Sequence, residues 1–315
     1  MTMDKYEEEY VNLNGIDHYL LHYKIKPEAP VIIYIHGGPG QSEAMNAYVV
    51  EAYAKRNYNV VYYDQRGAGK TYLKNKKAKA SMKLLQEDLL EIVLYIKKQY
   101  GKEKVGILAH SFGNTVGALF ALEHPEHVLF YVGCCPLISI MGNESYIYEV
   151  LSKEIDKAGN AEDKRLLDKI GDYPGSDGFN KQVLKKMKIV RKLQGKYGLI
   201  GKLDKSFMDM IKKSPIVKSK DILALIFGTN HNSEMLKETF VFDLKTYGMD
   251  YKVPVFYVLG ENDFVTPVEL SGRYFQEIKT DEKEMYLIKA AGHSPMLENK
   301  DEYQNVLCSI VSRFE

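Results

Sequence analysis

The chain has 315 residues, room for about two ordinary domains or one large one. Its 45% hydrophobic and 27% charged residues are the profile of a globular protein and exclude a disordered or fibrous one. The 43 Lys and Arg against 42 Asp and Glu leave a net charge of +1, so no global field recruits nucleic acid or an anionic membrane.

In chain order, the first nine residues, Met-Thr-Met-Asp-Lys-Tyr-Glu-Glu-Glu, are acidic and lack the basic and apolar regions of a signal peptide, which predicts a cytoplasmic location. Residues 7–25 alternate around Asn14-Gly15, a dipeptide suited to a two-residue hairpin turn. Val31–Ile35 is a short β-branched run before Gly37-Gly38-Pro39-Gly40, predicting a buried strand that ends in a glycine loop. A helix is expected over 44–56 and a second buried strand over 59–64, followed by Gln65-Arg66-Gly67-Ala68-Gly69. Residues 81–100 form the strongest helical pattern: Leu84, Leu85, Leu89, Ile92 and Ile96 share one stripe, and Gly101 supplies a stop. A strand over 105–109, a helix over 115–123 and a strand over 128–133 follow.

The alternation then ceases. Residues 136–252 read as helical, lysine-rich and interrupted by Gly, Asn and Asp, and the apolar run 132–142 is too short to span a bilayer. Strands return at 253–259 and 284–288, with helices over 268–278 and 301–314. Strand–helix alternation implies an α/β protein with a mostly parallel sheet covered on both faces. The division is a catalytic domain of residues 1–136 and 253–315, with residues 137–252 as an inserted helical cap, or lid, over the strand ends.

In such sheets a ligand lies outside the carboxyl ends of the strands, so chemistry is sought there. After the third parallel strand comes Ala109-His110-Ser111-Phe112-Gly113, with small residues two before and two after the serine, the form of a nucleophile elbow. Ser111 also fits a plain helix N-cap. A serine hydroxyl needs a base, and the base an acid that fixes its tautomer. Asp263 in Gly260-Glu261-Asn262-Asp263 and His293 in Ala290-Ala291-Gly292-His293 stand at later strand ends, in the order Ser, Asp, His. Asp263 is preferred to Asn262 because a carboxylate stabilises an imidazolium. Acyl transfer also needs an oxyanion hole, for which the N–H groups of Phe112 and Gly38 are the candidates. Neither a GxGxxG nor a GxxxxGK[ST] phosphate cradle is present, and the eight histidines show no HExxH spacing, so no metal is expected. Adjacent Cys134 and Cys135 read as buried packing thiols, and three cysteines make no disulfide framework.

His36-Gly37-Gly38-Pro39-Gly40, Asp64-Gln65-Arg66-Gly67-Ala68-Gly69, the Ser111 elbow, Gly260–Asp263 and Gly292-His293 together resemble the prolyl iminopeptidase branch of the α/β-hydrolases. The resemblance implies the α/β-hydrolase fold with a helical cap, and a serine hydrolase that uses no cofactor. It also implies the triad Ser111, Asp263 and His293, with Asp64 and Arg66 bracing the loop behind the oxyanion site. It points to an aminopeptidase that releases an N-terminal residue such as proline from a short peptide. An epoxide hydrolase or dehalogenase would carry a carboxylate in place of Ser111.

Two departures bear on substrate. That branch selects a free amine with cap carboxylates, often beside tryptophan, and this chain has no Trp. Residues 181–220 hold thirteen Lys and Arg against Asp204 and Asp209 only, a poor attractant for an ammonium group. The stripe Val183, Met187 and Val190 makes this stretch an amphipathic helix with a solvated basic face. Glu144, Glu149, Glu154, Glu234 and Glu238 are candidate amine receptors, and a carboxylesterase with the same triad is the alternative.

Overall fold

Local chemistry accounts for the elements of a computed structural model that describes residues 6–175, 178–200, 205–222, 224 and 233–315. Strands β1 (Tyr6–Leu13) and β2 (Ile16–Tyr23) form the hairpin, and Asn14 and Gly15 take φ of 47° and 78° at its turn. Strands β3 (Val31–Ile35), β4 (Asn59–Tyr63), β5 (Val105–His110), β6 (Val128–Cys134), β7 (Val255–Gly260) and β8 (Lys283–Ile288) complete one sheet. Its order is β1-β2-β4-β3-β5-β6-β7-β8; β2 pairs antiparallel with both neighbours, and every other pairing is parallel.

Strand alternation sends Ile33 and Ile35 to one face, into a cluster with helices α1 (Met82–Tyr100) and α2 (Asn114–Glu123). Ile32 and Tyr34 point to the other face, where they join residues of the C-terminal helix α9 (Lys300–Val311). Ser81 caps α1 by accepting from Leu84 N at 3.2 Å, and Gly101 ends it in the left-handed region. Leu85, Leu89, Ile92 and Ile96 are buried, while Leu84, in the first turn, is only half-buried.

The helix expected over 44–56 is the largest local departure: only Ala47–Val50 is helical. Glu51 turns inward to accept from Tyr62 Oη at 2.5 Å and Arg56 Nη1 at 2.8 Å. Arg56 Nη1 also donates to Glu51 O at 3.2 Å, so the ion pair holds the following residues in a turn.

Between β6 and β7 the described secondary structure is helical: α3 (Ile140–Ala158), α4 (Ala161–Asp168), α5 (Lys181–Lys196), α6 (Lys205–Lys213) and α7 (Ser233–Phe240). Val190 and Leu193 of α5 are buried with Ile147, Leu151 and Ile155 of α3, Met187 packs against them, and Val183 is buried as well, leaving most of the lysines of α5 exposed. Asp204 lies outside the described residues. After β7 comes α8 (Val268–Glu277). Among the described residues no helix is long and apolar enough to cross a membrane.

Candidate active site

β5 runs into a single 3₁₀ turn, Ser111–Gly113, before α2. Ser111 has φ of +53°, a left-handed conformation that a non-glycine residue holds only under tertiary constraint. The constraint is visible in its neighbours. A Cβ on Gly113 would lie 2.4 Å from Ile35 O, so the turn must pass bare backbone against β3. Ala109 replaces the usual small glycine two residues before the serine. Its methyl fits because Gly117 on α2 has none: a Cβ there would meet Ala109 Cβ at 2.8 Å.

The structure brings Ser111, His293 and Asp263 together from three separate strand ends. His293 Nε2 lies 2.9 Å from Ser111 Oγ, and His293 Nδ1 lies 2.9 Å from Asp263 Oδ2. An ionised carboxylate only accepts, so Nδ1 carries the proton and Nε2 is left to accept from the serine. Asp263 is buried, and its Oδ1 accepts the backbone N–H groups of Val265 at 2.7 Å and Thr266 at 3.0 Å. Burial pushes the Asp263 carboxyl up, but the facing His293 and the Thr266 hydrogen bonds outweigh it and hold it below the ordinary carboxylate range. Thr266 Oγ1 stands 2.7 Å from Asp263 Oδ2, 2.9 Å from Cys135 O and 3.2 Å from His293 Nδ1. Sequence reasoning missed this threonine; its only signal is a hydroxyl residue three positions after an Asp, a local turn pattern.

The glycine loop after β3 lies against Ser111. A Cβ on Gly37 would sit 3.2 Å from Ser111 Cβ, and Gly38 follows with φ of +137°, open to glycine alone. Phe112, buried, immediately follows the serine in the 3₁₀ turn. His36 Nε2 accepts Gln65 N at 2.9 Å, and Gln65 Nε2 donates to His36 O at 2.6 Å, which joins the two glycine-containing motifs. Behind them Asp64 Oδ1 accepts Ser42 Oγ at 2.5 Å and its Oδ2 accepts Lys70 N at 2.6 Å. Burial dominates these bonds and raises Asp64 to about 7. Arg66 clamps Asp88 of α1 through Nε at 2.8 Å and Nη2 at 2.7 Å, and reaches the hairpin turn at Asn14 O, 3.1 Å away.

Two further charged residues flank Ser111, neither singled out by sequence. His110 Nδ1 lies 2.5 Å from Glu43 Oε1, and His110 Nε2 lies 2.8 Å from the carbonyl oxygen of His293. Burial lowers the His110 imidazole, but Glu43 overcomes it and lifts it to about 10. Burial likewise raises the Glu43 carboxyl, and His110 overcomes this to hold it at about 2.

The candidate amine receptors fare differently. Glu144 is buried and bonded by Arg191 and Tyr173. Glu234 binds Lys237 at 2.8 Å, Glu238 accepts Met82 N at 2.8 Å, Glu154 faces Lys157 at 3.9 Å, and Glu149 is exposed. Cys134 and Cys135 are buried, and burial pushes the Cys135 thiol up. Cys135, Asp263 and His293 place three potential metal-ligand atoms within 4.8 Å of one another, but the carboxylate and imidazole atoms already serve the hydrogen-bond chain above.

Over residues 26–161 the chain matches the family described as serine aminopeptidase, S33. It is 20% identical over 303 residues to a probable aminopeptidase of Bacillus subtilis, covering 95% of this chain and 92% of that one. It is 21% identical over 319 residues to a proline iminopeptidase of Saccharolobus solfataricus, covering 98% and 93% of the two chains. The crystal structure of a proline iminopeptidase of Mycobacterium smegmatis superposes with a TM-score of 0.71 at 17% identity, over 98% of each chain. A serine hydrolase of carbazole degradation superposes with a TM-score of 0.62 at 20% identity, over 98% of this chain and 99% of that one. These two structures share its fold.

Proposed function

We propose that this chain, a serine hydrolase similar to the prolyl iminopeptidase-like branch of the α/β-hydrolases, is an aminopeptidase releasing the N-terminal residue of short peptides. The observation that carries the reading is His293 bridging Ser111 and Asp263 at 2.9 Å on either side. In this mechanism His293 takes the Ser111 proton as Oγ attacks the scissile carbonyl, and Asp263 stabilises the imidazolium. The N–H groups of Phe112 and Gly38 bind the developing oxyanion. The His293 proton passes to the leaving amine, and water activated by the same imidazole releases the acid from the acyl-enzyme. Residues 137–252 act as the cap that shapes the acyl pocket.

A second reading, a carboxylesterase with the same triad, is favoured by the occupation of Glu144 by Arg191 and Tyr173, which removes one buried carboxylate from amine recognition. The discriminating experiment compares turnover of a prolyl-arylamide and a short-chain p-nitrophenyl ester, with Ser111→Ala as the blank. Arylamide turnover well above the blank supports the aminopeptidase. Ester turnover alone replaces it with the esterase.

A further inference from the structure

We propose that Glu43 and His110 form a buried ion pair whose task is to position His293, a proposal that rests on the triad reading above. The pair joins three segments that lie far apart in the chain. Glu43 belongs to the segment after the glycine loop, His110 precedes the nucleophile at the end of β5, and His293 stands in the loop after β8. The His110 ring contacts both others: Nδ1 lies 2.5 Å from Glu43 Oε1, and Nε2 lies 2.8 Å from His293 O. A Cβ on Gly37 would approach Ser111 Cβ at 3.2 Å, His110 Nδ1 at 3.3 Å and Glu43 Oε1 at 3.5 Å, so the pair is packed directly against the nucleophile's own backbone neighbours.

Hydrogen-bond bookkeeping decides the protonation. A backbone carbonyl only accepts, so Nε2 must carry a hydrogen. One further proton then lies between Nδ1 and Glu43, and the buried pair is neutral as a unit. Tyr34 and His36 face the carboxylate, and Cys134 faces the imidazole. The pair therefore supplies geometry without net charge beside the His293 ring, whose centroid is 5.0 Å from that of His110.

Glu298 accepts the N–H groups on either side of His293, Gly292 N at 2.7 Å and Ser294 N at 2.9 Å. Between those two N–H groups lies the His293 carbonyl, and His110 Nε2 holds it. With both flanks and the centre fixed, the imidazole is aimed at Ser111 and Asp263 together. His110 is thus a positioning residue, acting through the backbone of His293 and not on the substrate.

Two substitutions separate the ring's two contacts. His110→Gln puts an amide N–H near the place of Nε2 and keeps the carbonyl bond. His110→Asn puts one near the place of Nδ1 and keeps only the Glu43 contact. We expect His110→Asn to lower kcat on the aryl ester, and the rate of Ser111 modification by a fluorophosphonate, by at least about tenfold, because small misplacements of a catalytic base have effects of that order. KM should stay within about twofold, and His110→Gln should recover most of kcat. A folded His110→Asn protein with wild-type kcat and labelling rate overturns the proposal. A wild type that the fluorophosphonate does not modify at Ser111 overturns the triad reading, and the pair with it; a labelled wild type beside an unimpaired Asn variant overturns the pair alone. Should His110→Asn not fold, nitrogen–proton correlation spectra of the wild type decide: Nε2 of His110 is to keep its proton from about pH 6 to about pH 9, and loss of that proton within the range overturns the proposal.

Discussion

At the scale of single residues, the site depends on which atoms carry protons. Ser111→Ala is expected to lower kcat by about 10³-fold or more without loss of fold, because the side chain stands at the turn and fills no core position. Active-site titration and a thermal melt of the same sample check both halves. Asp263→Asn preserves shape but lets the amide donate toward His293, reversing the imidazole tautomer; a fall in kcat of about 10⁴-fold is expected. The Glu43–His110 pair carries a pH signature in stability. His110, raised to about 10 from 6.5, contributes stability that is complete below 6.5 and lost as pH rises through 10. Glu43, lowered to about 2 from 4.5, contributes above 4.5 and loses its contribution as pH falls through 2. Wild-type Tm is therefore expected to fall more steeply between neutral pH and about pH 10 than that of His110→Gln. Parallel curves would contradict the ion pair.

At the scale of elements, the elbow works because strand and helix meet almost backbone to backbone. The usual requirement for glycine two residues before the serine is met here from the opposite side, with Ala109 on β5 and the missing side chain at Gly117 of α2. Gly117→Ala would set two methyl carbons 2.8 Å apart and press on Ile35 Cδ1 at 3.1 Å. The overpacking is expected to cost about 1–3 kcal/mol in a urea melt and to lower activity by displacing the turn. Adding Ala109→Gly should restore part of that loss, giving a favourable coupling in the double-mutant cycle. Additive effects would mean that the two residues do not share the space.

At the scale of the molecule, the helical segment between β6 and β7 bears directly on the loop that carries Asp263. Asn143 of α3 donates to Val265 O at 3.2 Å and Gln194 of α5 donates to Phe264 O at 3.4 Å, so both helices grip the loop that follows Asp263. Phe264 packs into the apolar cluster of the same helices. Glu144 and Arg191 join α3 to α5 just behind this contact. Glu144→Gln should accordingly lower Tm while changing KM for a prolyl-arylamide by less than about twofold, since its carboxylate is already engaged. A large rise in KM at unchanged Tm would return Glu144 to the role of amine receptor.

Much of this organisation was legible in the residues themselves. Strand periodicity, the Asn14-Gly15 turn, the Ser81 cap and the Gly101 stop are local preferences, and the sheet they imply is the one observed. Ser111, Asp263 and His293 could be proposed because a parallel sheet delivers its strand ends to one edge, so order along the chain carries spatial meaning. Other features have no local cause. The helix expected over 44–56 is cut short because Glu51 turns inward to Tyr62 of β4 and there also pairs with Arg56. Glu43 and His110 meet only through the folded sheet, 67 positions apart in the chain, and their mutual charge has no sequence signature. Thr266 and Gly117 likewise acquire their meaning from what they touch. Residue order was enough for the elements and for the chemistry available at their ends, because those follow from backbone preference and apolar period. Which charges face each other once buried is set by the folded arrangement, because a partner that neutralises a desolvated group can come from anywhere in the chain.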